Sequence, residues 1–150
     1  MGRLTELLDL AEERGREAHL ACRGQVHSVE AAEILALAPG AQLIDVRSRA
    51  ELELVGSIPG ALHVEWQSYP GWAANPYFLA QLEQQASREA LLLFICRSGH
   101  RSAHAALAAQ QNGFLQCYNV LDGFEGSIDK TTGRRTAGGW KNAGLPWRQA

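Results

Sequence analysis

The chain has 150 residues, 46% of them hydrophobic, enough for one packed core without disulfide or metal staples. Lys and Arg number 14 against 16 Asp and Glu, a net charge of -2, which excludes a polybasic nucleic-acid arm or an acidic tail as the main theme. The longest apolar run, residues 90–96, falls far short of the roughly 20 residues of a membrane helix, and charges throughout the N-terminal segment exclude a signal peptide. Neither nucleic acid nor membrane is therefore expected as a partner. The 3 cysteines, Cys22, Cys96 and Cys117, cannot all be paired and form no CxxC site, so a reducing compartment, the cytoplasm, is the expected location.

Leu4, Leu7, Leu8 and Ala11 recur at helical spacing, with Glu12, Glu13, Arg14 and Arg16 on the wet face. They predict an N-terminal amphipathic helix, which Gly15 weakens or ends early. Residues 25–27 read as a short edge strand, and Ser28 as the N-cap of a helix that stops at Pro39-Gly40. Leu43-Ile44-Asp45-Val46 and Leu91-Leu92-Leu93-Phe94-Ile95 are apolar runs without alternation, as in strands covered on both faces. Between them a strand over 61–64 and a helix over 76–85 are expected. The alanine-rich segment 102–111 ends at Asn112-Gly113, and 117–121 reads as a further strand. Alternating strands and helices predict an α/β fold, a parallel sheet with helices on both faces. The division expected is a helical extension over 1–24 and one domain over 25–150. Residues 127–139 form the one long polar loop.

The chemistry concentrates in Cys96-Arg97-Ser98-Gly99-His100-Arg101-Ser102, which follows the most apolar strand and precedes a helix. Ligands bind beyond the carboxyl ends of strands in open α/β sheets. A thiol at a helix N-terminus meets unpaired N–H groups and the positive end of the macrodipole, and nearby arginines add to the effect, so the thiolate is favoured. Gly99 lets the loop curl so that successive amides point inward as a nest for an anion. No Asp or Glu occurs from residue 90 to 121, whereas Arg97, Arg101, His100 and His104 all do, so this stretch is expected to attract anions.

These residues resemble the active-site loop of the rhodaneses, the thiosulfate sulfurtransferase superfamily. Leu43-Ile44-Asp45-Val46-Arg47 through Glu51 to Gly56-Ser57-Ile58-Pro59-Gly60-Ala61 is similar to a second signature of that family. Asn119-Val120-Leu121-Asp122-Gly123-Phe124, with Trp140 and Ala143-Gly144-Leu145-Pro146, is similar to its closing one. Three motifs in order, spanning roughly residues 26–147, imply a three-layer rhodanese-like fold with a five-stranded parallel sheet. Ser57 and Phe124 depart from the usual family residues. The polar stretch 127–139 looks inserted, so Lys130, Arg134 and Arg135 inherit no role.

The resemblance implies that Cys96 takes the outer sulfur of a donor such as thiosulfate, becomes a persulfide, and passes the sulfur to a thiol, a protein or cyanide. Amides over 97–102 would cradle the persulfide, and Arg97 and Arg101 would hold the donor's sulfonate. The substrate-binding set is thus Arg97, Ser98, Gly99, His100, Arg101 and Ser102, with Ser102 a helix N-cap first and a hydroxyl donor second. Asp45 is read as a buried acceptor that orients the loop or Arg47, or as a cap on the next turn. No cofactor and no metal is called for. Two other readings compete: a phosphatase or arsenate reductase, which needs Cys-x5-Arg where this chain has Cys-x4-Arg, and a non-catalytic binding module, which typically lacks the cysteine.

Overall fold

Strand β6 (Leu91–Ile95) is buried at every position, because helices cover both of its faces. In the computed structural model, which describes residues 2–20, 22–126, 131 and 138–149, β6 is the middle of a five-stranded sheet. The other strands are β1 (Gly24–Val26), β2 (Gln42–Asp45), β3 (Leu62–His63) and β7 (Gln116–Val120), in the order β1-β7-β6-β2-β3. Every pairing is parallel. A hairpin of β4 (Gln67–Ser68) and β5 (Ala73–Ala74) stands apart from the sheet.

Side chains of β6 alternate between two cores, as the period of 2 requires. Leu91, Leu93 and Ile95 meet α1 (Arg3–Glu17) and α2 (Ser28–Leu37) on one face. Leu92, Phe94 and Cys96 meet α4 (Phe78–Gln85) and α5 (His100–Gln111) on the other. This parity, continued one residue past the strand, sends the Cys96 sulfur under the start of α5. The remaining helix, α3 (Arg49–Val55), buries no residue fully.

Several details differ from the sequence expectations. Gly15 does not end α1, which continues to Glu17. A Cβ at Gly15 would stand 2.9 Å from the Gly24 Cα, and one at Gly24 would stand 2.4 Å from the Ala11 carbonyl oxygen, so the two glycines let α1 cross β1 backbone to backbone. Leu7 and Ala11 thereby join the same core as Val26 and Tyr118. Ser28 is not the cap of α2. The helix starts one residue earlier, Glu30 accepts a 2.8 Å bond from the His27 N–H, and Ser28 turns inward to donate to Asp122. α5 also begins earlier than expected, behind Gly99, so Ser102 lies within its first turn rather than capping it. Helix α3 went unpredicted, although Ser48-x-x-Glu51 is a capping-box pattern, and both bonds of that box form. Of the polar stretch 127–139, residues 127–130 and 132–137 lie outside the described residues, Lys130, Arg134 and Arg135 among them.

Candidate active site

Cys96 directly follows β6 and has 1% of its surface exposed. The chain turns back over it at Gly99, whose φ of +97 belongs to the left-handed region. The turn brings the Gly99 N–H to 3.1 Å from Sγ and the Ser102 hydroxyl to 3.2 Å. The sulfur thus accepts a backbone N–H and lies beside a hydroxyl whose one proton is shared with Asn119, at the first turn of a 12-residue helix whose leading N–H groups have no partner within the helix. Of the loop amides over 97–102 expected to face the sulfur, the Gly99 N–H is the one that donates to it here.

Asn119 holds the cradle, and sequence reasoning missed it. It faces α5 because Tyr118 and Val120 face the other core. Its side-chain oxygen lies 2.6 Å from the Ser102 hydroxyl, and its amide donates to the Gly99 carbonyl at 3.1 Å. A second brace is backbone on backbone: the Phe124 N–H donates to the Cys96 carbonyl at 2.8 Å, and the Glu125 N–H to the Arg97 carbonyl at 2.9 Å. Contact is so close that a Cβ at Gly99 would lie 2.2 Å from the Leu121 oxygen, and one at Gly123 2.5 Å from the Arg97 oxygen.

Asp45 and Arg47 form a buried ion pair. Asp45 accepts bonds from the Arg47 guanidinium at 2.6 and 2.9 Å and from its backbone N–H at 3.1 Å. Both roles considered for Asp45 match these contacts: it orients the Arg47 guanidinium, and it caps the next turn by accepting the Arg47 N–H. The Arg47 guanidinium lies 4.2 Å from the centre of the Phe124 ring, and Phe124 in turn bonds the Cys96 carbonyl. The pair therefore braces the loop through Phe124, from the face opposite the sulfur.

The loop arginines were expected to meet a donor anion. They meet carboxylates of the chain itself. Arg101 forms two bonds with Glu51, at 2.6 and 2.9 Å, while Trp72 covers its face at 5.0 Å. Arg97 pairs with Glu125 at 2.8 Å. Burial pushes the Glu51 carboxyl up, but bonds from Arg101 and Ser48 outweigh it and leave it below the usual carboxylate range. The Arg101 guanidinium is held further up by Glu51, against burial, with smaller contributions from the charges of Cys96 and Asp45. The anion-attracting character read from residues 90–121 is thus offset by acids from outside that stretch, 50 and 28 positions away from their arginines. His100 lies at the surface with Nδ1 3.4 Å from the Ser98 hydroxyl, and His104 is exposed nearby. Both line a cavity of about 350 Å³ beside the loop.

The family profile of the rhodanese-like domain matches residues 28–130. The chain belongs to the rhodanese-like family. It is 35% identical over 127 residues to an uncharacterised protein of Rickettsia rickettsii, covering 81% of this chain and 94% of that relative. The crystal structure of Rv0390 from M. tuberculosis has a TM-score of 0.76 and 41% identity, covering 84% of this chain and 97% of that one. The polysulfide-sulfur transferase homodimer of Wolinella succinogenes shares the fold, with a TM-score of 0.60 and 23% identity over 99% of this chain and 95% of that one. In this rhodanese-like domain the other two thiols are unlike Cys96. The Cys22 and Cys117 sulfurs donate to the carbonyls of Gly24 and Phe114, and burial pushes the Cys117 thiol up to about 12. Among the described residues no helix is long and apolar enough to cross a membrane.

Proposed function

We propose that this rhodanese-like domain is a sulfurtransferase that carries a sulfane sulfur on Cys96. The observation that carries the reading is the Gly99 N–H donated to the Cys96 sulfur at the start of α5, with the Ser102 oxygen 3.2 Å from that sulfur. In the first half-reaction the Cys96 thiolate attacks the outer sulfur of the donor. A sulfur–sulfur bond forms on Cys96, and the donor's own sulfur–sulfur bond breaks, its electron pair leaving with sulfite when the donor is thiosulfate. The charge of the persulfide falls on its terminal sulfur, one bond further out, where the first-turn amides of α5 can receive it. In the second half-reaction a thiol, on a small molecule or a protein, or cyanide in the assay, takes that sulfur and restores the Cys96 thiolate.

Groups that hold the cradle have positioning roles: Asn119 fixes Ser102 and the Gly99 carbonyl, and the Asp45–Arg47 pair fixes the strand end through Phe124. Three free cysteines suit a reducing compartment, the cytoplasm. Steady-state transfer from a sulfane donor to cyanide, read as thiocyanate, tests the reading. Wild type should turn over and Cys96→Ser should not. Turnover that survives in Cys96→Ser contradicts it.

A further inference from the structure

Three guanidinium groups stand around the Cys96 loop, and each is paired with one carboxylate: Arg47 with Asp45, Arg97 with Glu125, and Arg101 with Glu51. The Asp45–Arg47 pair is buried on the opposite face, so among the described residues an anion approaching the sulfur meets two neutral pairs, Arg97–Glu125 and Arg101–Glu51. Among the described residues, the positive potential left at the site comes from backbone amides and the helix start, which suits a single negative charge. Arg101 is further fixed by Trp72 against its face, so it cannot turn to a donor without losing both partners. Arg97 is about half exposed and has one carboxylate partner, the weaker restraint of the two. The cavity beside the loop, lined by Leu20, Ala103 and Leu121 together with Ser98, His100 and His104, offers room for an organic group.

We infer that Glu51 and Glu125 determine donor specificity: by neutralising Arg101 and Arg97 they select sulfane donors of one negative charge, organic persulfides or thiosulfonates, over the thiosulfate dianion. This rests on the sulfurtransferase reading above and sharpens it. The chemistry balances for either donor. With methanethiosulfonate, the Cys96 thiolate forms its bond to the outer sulfur, the donor's sulfur–sulfur bond breaks, and methanesulfinate leaves with the electron pair and one negative charge. Thiosulfate differs in replacing the methyl group by a charged oxygen, and sulfite leaves with two charges.

The test compares kcat/KM for thiosulfate and for methanethiosulfonate in wild type, Glu125→Gln and Glu51→Gln. Glutamine keeps the hydrogen-bonding shape, and at position 51 it keeps the capping box, while the carboxylate charge is removed. Each substitution uncovers one positive charge near the sulfur, so the thiosulfate-to-methanethiosulfonate ratio should rise roughly 10-fold, more for Glu125→Gln, whose arginine is free to reach outward. The gain should lie in KM for thiosulfate. Added salt should barely change the wild-type ratio and should reverse the gain in the variants, since exposed charges are screened over about 8 Å at physiological ionic strength. A merely structural lesion lowers both donors together and has no such salt dependence. If Glu51→Gln does not fold, Glu125→Gln alone decides. Loading of Cys96 by both donors with an unchanged ratio in the folded variants overturns this inference and leaves the sulfurtransferase reading standing. Failure of both donors to place sulfur on wild-type Cys96 overturns both.

Discussion

Cys96 and Cys117 are equally hidden, 1% and 0% exposed, yet their surroundings are opposite. Cys117 sits inside β7 among the apolar residues packed under α5, and its thiol donates to the Phe114 carbonyl. Cys96 sits one residue beyond β6, and its sulfur receives the Gly99 N–H, with the Ser102 oxygen 3.2 Å away. What separates the two sulfurs in this fold is therefore the direction of their hydrogen bonds and not their exposure. One residue of strand length decides it: inside the sheet, neighbouring strands use the amides, whereas past the strand end the chain is free to fold its amides onto the sulfur.

The comparison breaks most severely where the scaffold of the Cys96 region is charged and that of the Cys117 region is not. Asp45→Ala leaves the Arg47 guanidinium buried without its partner and should cost about 3–5 kcal/mol of stability, read by urea denaturation. An unchanged midpoint would show that Asp45 bears no structural load. Gly99→Ala puts a Cβ on the Leu121 oxygen at a left-handed φ, so about 1–3 kcal/mol of strain should accompany a reshaped loop. Sulfur transfer should fall with it, measured as thiocyanate release, and normal turnover would mean the loop adapts freely. Ser102→Ala removes the hydroxyl beside the sulfur and leaves the buried Asn119 oxygen without its partner, so transfer should slow roughly tenfold and stability should fall by about 1 kcal/mol.

The smallest effect is a pH dependence on the Cys117 side. Its folded pKa is raised by burial from 9.0 to about 12, so the native state keeps a proton that the unfolded chain releases. The stability this contributes is complete below pH 9 and is lost as pH rises through about 12. Between pH 9 and 10 the loss should approach about 1 kcal/mol. Urea denaturation of Cys117→Ala at both pH values should show a shallower fall than wild type, although Tyr118, raised to about 12 mainly by its own burial, keeps part of the slope in both.

Much of this was legible in the sequence. The non-alternating run at 91–95 announced a strand covered on both faces, and the alanine-rich segment after it announced α5. The Cys96 loop was placed by its position between them. Gly15 was misread because a glycine in a helix looks like a stop until its neighbour across the interface, Gly24, is known. Ser48-x-x-Glu51 carried a cap signal that was read only as part of a family signature. Pairing of Arg101 with Glu51 and of Arg97 with Glu125 lay beyond sequence reasoning, since a local count of charges says nothing of acids delivered by other elements. Asn119 reads as an ordinary strand residue until β7 is set beside β6.

The most direct measurement is the intact mass of the wild type and of three single variants, Cys96→Ser, Cys22→Ser and Cys117→Ser, after treatment with methanethiosulfonate or thiosulfate and removal of the donor. The account predicts one added sulfur atom on the wild type, on Cys22→Ser and on Cys117→Ser, and none on Cys96→Ser. A sulfur adduct retained by Cys96→Ser, or lost from Cys117→Ser while that variant is folded, would contradict it.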